Sequence, residues 1–218
     1  MQNANQSDIP TEHQPVFSTD WFEKCARPVW DHLVPGLAAG RVLEVGSYEG
    51  ASACYLIAQL GANAPLEIHC VDTWEATASF DGGDVDMGVV EAQFLRNTGL
   101  LVARSRHPVM LEVHKGRSDM VLPRLLAALG NGYFDMVYID GSHRAPDVLA
   151  DAVLGFMLLR PGGIMVFDDY LWRGADNDFS NPAQSPTMAI DAFVNCNYGK
   201  VHLISAPLYQ IYLQKIAG

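Results

Sequence analysis

The run Arg41-Val-Leu-Glu-Val-Gly-Ser-Tyr-Glu-Gly50 decides the fold. Its first five residues are β-rich and stop at Gly46, and a helical pattern follows from Ala51 to Leu60 before Gly61. Two glycines between a strand and a helix let the backbone turn tightly and pass close to a ligand. The helix that follows offers unpaired N–H groups at its start. The spacing is G-x-x-x-G, which departs from the G-x-G-x-x-G dinucleotide fingerprint, and no G-K-S/T follows as a P-loop requires. A plain strand-to-helix turn stays open as the other reading of this stretch.

The same alternation continues on both sides. Asp20-Trp21-Phe22 opens an amphipathic segment that ends before Pro35-Gly36. Strands are predicted over 66–71, 109–114, 134–139 and 164–167. Helices are predicted over 87–96, 118–129, 146–159 and 188–195, with Ser118 as an N-cap and Pro123 confining its helix to the later part. Residues 75–86 and 173–186 read as polar loops, and Pro161-Gly162-Gly163 reads as a turn. Residues 201–205 and 208–214 alternate as a hairpin around Pro207. Strands alternating with helices predict an α/β, Rossmann-like, seven-stranded and mostly parallel sheet with helices on both faces and the last strand antiparallel. Residues 1–16 read as a flexible arm and 17–218 as one domain. Ligands of such sheets bind beyond the carboxyl ends of the strands, near the switch in strand order.

The balance of the 218-residue chain narrows its partners. A formal net charge of −11 argues against a nucleic-acid backbone, which needs a basic stripe. Some of the surplus carboxylates are candidates for holding a cation. Cys25, Cys54, Cys70 and Cys196 form no C-x-x-C pair, which argues against a zinc site, and Cys54 and Cys70, inside apolar segments, are expected as buried reduced thiols. The first sixteen residues lack an apolar h-region, and no apolar run reaches the ~18 residues of a membrane span. A cytoplasmic protein without membrane or nucleic-acid partners is expected; self-association is left open as a possible homo-oligomer.

Three polar clusters fall just after predicted strands. The first is the turn Glu44, Gly46, Ser47, Tyr48 and Gly50. The second is Asp72, which reads either as an acceptor for both hydroxyls of a ribose or as a helix cap or solvated strand end, with Thr73 beside it and Trp74 read either as cover for an adenine face or as packing. The third joins Ile139-Asp-Gly-Ser-His143 to Phe167-Asp-Asp-Tyr170. Adjacent parallel strands bring Asp140, Asp168 and Asp169 into one crevice, where three carboxylates repel unless a cation or proton intervenes. Such oxygen-rich sets suit Mg²⁺ or Ca²⁺. His143, three residues past Asp140, is a candidate general base, with a surface or capping role as its alternative.

Val42–Gly50 resembles motif I of the class I S-adenosylmethionine-dependent methyltransferases. Phe134–His143 followed by Leu159–Tyr170 resembles a narrower branch, the metal-dependent small-molecule O-methyltransferases of catechol, caffeoyl-coenzyme A and macrocin type, in the methyltransferase-24-like family. The resemblance spans about Trp21 to Lys215. It implies that Glu44, Gly46, Ser47 and Gly50 form the methyl-donor pocket, that Asp72 binds the ribose, and that Gly116 and Ser118 match an adenine-side loop. It further implies that Asp140, Asp168 and Asp169 hold Mg²⁺ or another divalent cation. Catechol-type members carry lysine where this chain has His143, and asparagine where it has Asp169. The implied reaction is O-methylation of a small hydroxylated acceptor, closed off from water by loops 75–86 and 173–186. A metal-independent N- or O-methyltransferase, an oxidative relative and a non-catalytic donor-binding protein are the alternatives.

Overall fold

The computed structural model describes residues 13–75, 85–173 and 181–217. Seven strands form one sheet in the order β3-β2-β1-β4-β5-β7-β6. They are β1 (Arg41–Val45), β2 (Leu66–Asp72), β3 (Val109–Lys115), β4 (Phe134–Ile139), β5 (Leu159–Phe167), β6 (Val201–Ile204) and β7 (Ile211–Lys215). β1 pairs in parallel with both β2 and β4, so the strand order reverses there. β7 runs antiparallel between β5 and β6, which delivers the expected antiparallel last strand.

The pleat sorts β1 between two cores. Leu43 and Val45 point to the face covered by α4 (Ser118–Leu129), α5 (Ala145–Leu158) and α6 (Pro186–Cys196). Val42 points to the other face, under α1 (Arg27–Leu33), α2 (Ala51–Leu60) and α3 (Met87–Arg104). Both faces are covered, as a parallel sheet requires. Among the described residues no helix is long and apolar enough to cross a membrane.

Four local expectations need correction. α3 continues eight residues past Arg96, because Asn97 and Thr98 are buried with satisfied side chains. The Asn97 amide donates to the carbonyls of Val16 and Glu49, and the Thr98 hydroxyl to that of Phe94. α4 runs unbroken through Pro123, because packing of Val121, Leu122 and Leu125 outweighs one lost backbone hydrogen bond. Its N-cap is Arg117, without a side-chain bond, rather than Ser118. Pro161-Gly162-Gly163 lies within β5. The arm expected over 1–16 is tied down at its end: Val16 donates to Asn97, and the carbonyls of His13 and Gln14 accept from Arg104 and Arg96. Residues 1–12 and the central parts of both expected closing loops lie outside the described residues.

Candidate active site

The exits of β1, β4 and β5 are stitched together by backbone. Gly46 N–H donates to Val71 O (2.8 Å), Asp140 N–H to Val45 O (2.7 Å), and Asp168 N–H to Ile139 O (3.0 Å). Gly46 sits at φ +87°, and a Cβ there would fall inside the carbonyl of Asp140. Only glycine lets β1 and β4 leave the sheet this close together. A cavity of about 350 Å³ opens above these exits.

Gly46, Ser47, Tyr48, Asp72 and Thr73 line it, so the sheet brings these five of the expected donor residues together. The Asp72 carboxylate accepts from the backbone N–H groups of Ser47 (2.8 Å), Tyr48 (2.9 Å) and Trp74 (2.8 Å). It thereby locks the turn to the end of β2. A carboxylate has about four lone-pair sites, so Asp72 keeps acceptor capacity toward the cavity.

Five expected donor residues are placed elsewhere. Glu44 is fully buried beneath the turn, accepting from the Ser47 hydroxyl at 2.6 Å and from that of Ser52. Burial pushes its carboxyl up, and it braces the turn from behind. Gly50, at φ +80°, faces α3: a Cβ there would meet the Phe94 ring, not a ligand. Trp74 is buried against Phe94 at 4.9 Å and donates its indole N–H to Tyr48 O, so it supports the turn instead of covering an adenine. Gly116 donates to the Asp72 carbonyl, and the Ser118 hydroxyl lies by Asp151; neither reaches the described cavity.

The acid side assembles as expected. One oxygen from each of Asp140, Asp168 and Asp169 lies within 4.8 Å of the others. Burial, then the neighbouring carboxylates, pushes Asp140 well above the ordinary range and Asp168 to about 6. The Tyr138 hydroxyl bridges them, reaching Asp140 at 2.8 Å and making a short bond to Asp168. Gln210 donates to Asp168 (2.6 Å), and the Tyr209 hydroxyl to Asp169 (2.8 Å). Asp169 holds φ +56°, a conformation unusual for a residue with a side chain. His143 Nε2 meets its carboxylate at 2.9 Å, and the imidazole packs on Trp172 with centroids 4.0 Å apart. His143 Nδ1 is buried with no hydrogen-bond partner among the described residues.

Sequence reasoning missed Tyr138, Trp172, Tyr209 and Gln210. Tyr138 left a signal: two positions before Asp140 on an apolar strand, it shares that residue's face. Tyr209 and Gln210 left none, since they reach the acids only through the antiparallel placement of β7.

The chain was compared with known proteins. Residues 43–170, more than half of the chain, match the family model Methyltransf_24, described as a methyltransferase domain. No curated protein sequence matches the chain significantly. Among solved structures, the O-methyltransferase TomG from Streptomyces achromogenes, in complex with SAM, is 23% identical, with a TM-score of 0.62 over 87% of this chain and 78% of that one. An O-methyltransferase from Bacillus cereus in complex with SAH is 17% identical, with a TM-score of 0.59 over 96% and 86%. The MycE methyltransferase of mycinamycin biosynthesis, in complex with Mg and SAH, is 18% identical, with a TM-score of 0.57; the match covers 92% of this chain but 51% of MycE. The chain belongs to the Methyltransf_24 family and is a methyltransferase with the class I, Rossmann-like fold of the S-adenosylmethionine-dependent enzymes.

Proposed function

We propose that this protein transfers a methyl group from S-adenosylmethionine to an oxygen of a small hydroxylated molecule, assisted by a divalent cation at Asp140, Asp168 and Asp169. The observation that carries this reading is a single cavity with the glycine turn and Asp72 on one wall and the three carboxylates with His143 on the other. The donor reading draws on Gly46, Ser47, Tyr48, Asp72 and Thr73. The solved relatives named with SAM or SAH, and MycE with Mg, support it by analogy of fold.

The residues present fit a hard divalent cation. The donor set is all oxygen and partly buried, and burial followed by the neighbouring carboxylates raises Asp140 and Asp168. A divalent ion held there would acidify a bound hydroxyl and fix its oxygen. The chain's own residues do the rest. Asp72 and the turn orient the donor. With Asp169 holding a cation, His143 Nε2 would be free to take the acceptor proton, and Trp172 holds the ring in place. Methyl then passes from sulfur to oxygen, and the electron pair of the broken C–S bond remains on sulfur.

One observation favours a second reading. Tyr138, Gln210 and Tyr209 already satisfy the carboxylates, and Asp169 already orients His143. A His–Asp pair of this kind can remove a proton without a cation. The deciding measurement is transfer of labelled methyl to a panel of hydroxylated acceptors, with and without chelator. Loss of turnover on chelation, restored by Mg²⁺, supports the cation; undiminished turnover supports the pair alone. Failure of the protein to bind S-adenosylhomocysteine would remove both.

A further inference from the structure

We propose that Glu49 and Asn97 are positioning residues that fasten residues 16–25 as a strap beside the donor turn, and that the Ser18–Glu49 bond is the latch that opens for the methyl donor to enter and its product to leave. This rests on the donor reading proposed above and names what retains the donor in that site.

Asn97 is the first ground. It lies in the interior of the 18-residue helix α3 and is fully buried. Asparagine is a poor helix former, and a buried amide is costly unless its hydrogen bonds are made. Here those bonds go outside the helix. Asn97 Oδ1 accepts from the Val16 N–H at 3.0 Å, and Nδ2 donates to the Val16 carbonyl at 2.8 Å. The same Nδ2 donates to the Glu49 carbonyl at 3.0 Å. Gln93, one turn earlier on α3, donates to the Val16 carbonyl and to Asn97 Oδ1. One side chain thus ties the N-terminal segment to the residue that stands between Tyr48 and Gly50 in the donor turn.

The uneven fastening of the segment is the second ground. Its first end is held by both backbone groups of Val16. Its other end is held by packing: the Phe22 ring lies 5.2 Å from that of Trp30 and 5.3 Å from that of Tyr55, and Cys25 is within hydrogen-bonding reach of Tyr209. The middle is held differently. Of the backbone N–H groups of Phe17, Ser18 and Thr19, only that of Ser18 finds an acceptor among the described residues, Glu49 Oε2 at 2.6 Å. Phe17, Thr19, Trp21 and Cys25 line the cavity, and so does Glu49. Ligand and strap therefore meet at one carboxylate. A charge-assisted bond of this length is strong enough to keep the span down. A span tied firmly at both ends and by one bond between them opens locally while the rest of the fold stays intact. Lifting residues 17–21 would open that side of the cavity beside the turn, which is the motion ligand exchange requires.

The test reads the latch in the full chain, with S-adenosylhomocysteine as the probe. Its dissociation is followed by stopped-flow displacement, and amide hydrogen exchange is followed at Val16 and Ser18. Glu49→Ala should speed dissociation by about tenfold and expose the Ser18 amide, while α3 and the Val16 amide stay protected. Glu49→Gln keeps an acceptor oxygen and should stay within about threefold of the native rate. Asn97→Ala should expose both amides. In the native chain, saturating S-adenosylhomocysteine should slow exchange at Ser18 by at least about tenfold, a readout that needs no variant to fold. Three results would each overturn the proposal: a native dissociation rate in Glu49→Ala, equal damage from Glu49→Gln, or Ser18 exchange that ignores the ligand. A general loss of protection across α3 in Glu49→Ala would likewise reduce the residue to a structural role. Failure of S-adenosylhomocysteine to bind the native chain sinks the donor reading instead, because Ser18 exchange in the native and Glu49→Ala chains reports the bond without any ligand.

Discussion

The two walls of the cavity are built on opposite principles. At the exits of β1 and β2 the acids are answered: three backbone amides hold Asp72, and two hydroxyls hold Glu44. At the exits of β4 and β5 acids face acids, and Asp140 and Asp168 are pushed up in pKa by burial and by their neighbours. The first wall is backbone geometry finished before any ligand arrives. The second sets three carboxylates against one another, held by the Tyr138 and Tyr209 hydroxyls, the Gln210 amide and His143, and a cation or a proton would relieve the remaining repulsion. Preorganisation suits a constant donor; a charged, incomplete wall suits the reacting end, where charge changes during the reaction.

The comparison can be broken most severely at Gly46. Gly46→Ala places a methyl group in the Asp140 carbonyl and strains a positive φ, which should cost at least about 3 kcal/mol or yield no folded protein. Chemical denaturation measures this; a variant of native stability would show that the two exits are not locked together. Asp168→Asn comes next. It should lower turnover by roughly 10²–10⁴-fold while S-adenosylhomocysteine affinity changes less than about threefold. Parallel loss of donor affinity would mean that the walls are not separate.

Asp151 supplies a control outside the site. It is 1% exposed on α5, and one of its oxygens is unpartnered. Burial raises it from 3.8 to about 7. The protonated form is the one the fold accommodates, so its stabilising contribution is complete below about pH 4 and lost as pH rises through about 7. Asp151→Asn should flatten that slope and raise stability at pH 8 by roughly 2–4 kcal/mol, with turnover unchanged. Unfolding at pH 5 and pH 8 checks the sign, and a destabilised variant at pH 8 would contradict it. The smallest effect is expected from Tyr209→Phe, which removes one bond to Asp169. A fall in turnover of about three- to tenfold, with donor binding intact, would match a neutral donor positioning a carboxylate.

The donor wall was more legible than the acid wall's supports because it is local. The positions of Gly46 and Asp72 follow from where two strands end, and the sequence shows strand ends. Side-chain direction one or two residues beyond a strand is another matter. Trp74 and Gly50 sit in the right stretch, yet packing against Phe94 turns both toward α3. The same limit explains the misplaced end of α3. Arg96-Asn-Thr-Gly99 reads as a stop until Val16 and Glu49, far away in sequence, satisfy Asn97. Tyr209 and Gln210 belong to a turn whose relation to Asp168 and Asp169 exists only once β7 is paired with β5.

That pairing also fixes an order of events during synthesis. β6 leaves the ribosome before β7, yet among the described residues its one neighbour in the sheet is β7. It must wait unpaired until residues 211–215 have emerged and threaded between it and β5. Because Tyr209 and Gln210 precede that strand directly, the supports of Asp168 and Asp169 arrive in the same step. The nascent chain can complete its Gly46–Asp72 turn well before its acidic crevice takes shape. Trapped between those stages, it would present an open edge at β5, with a longer exposure to misassembly the more slowly the final strand is translated.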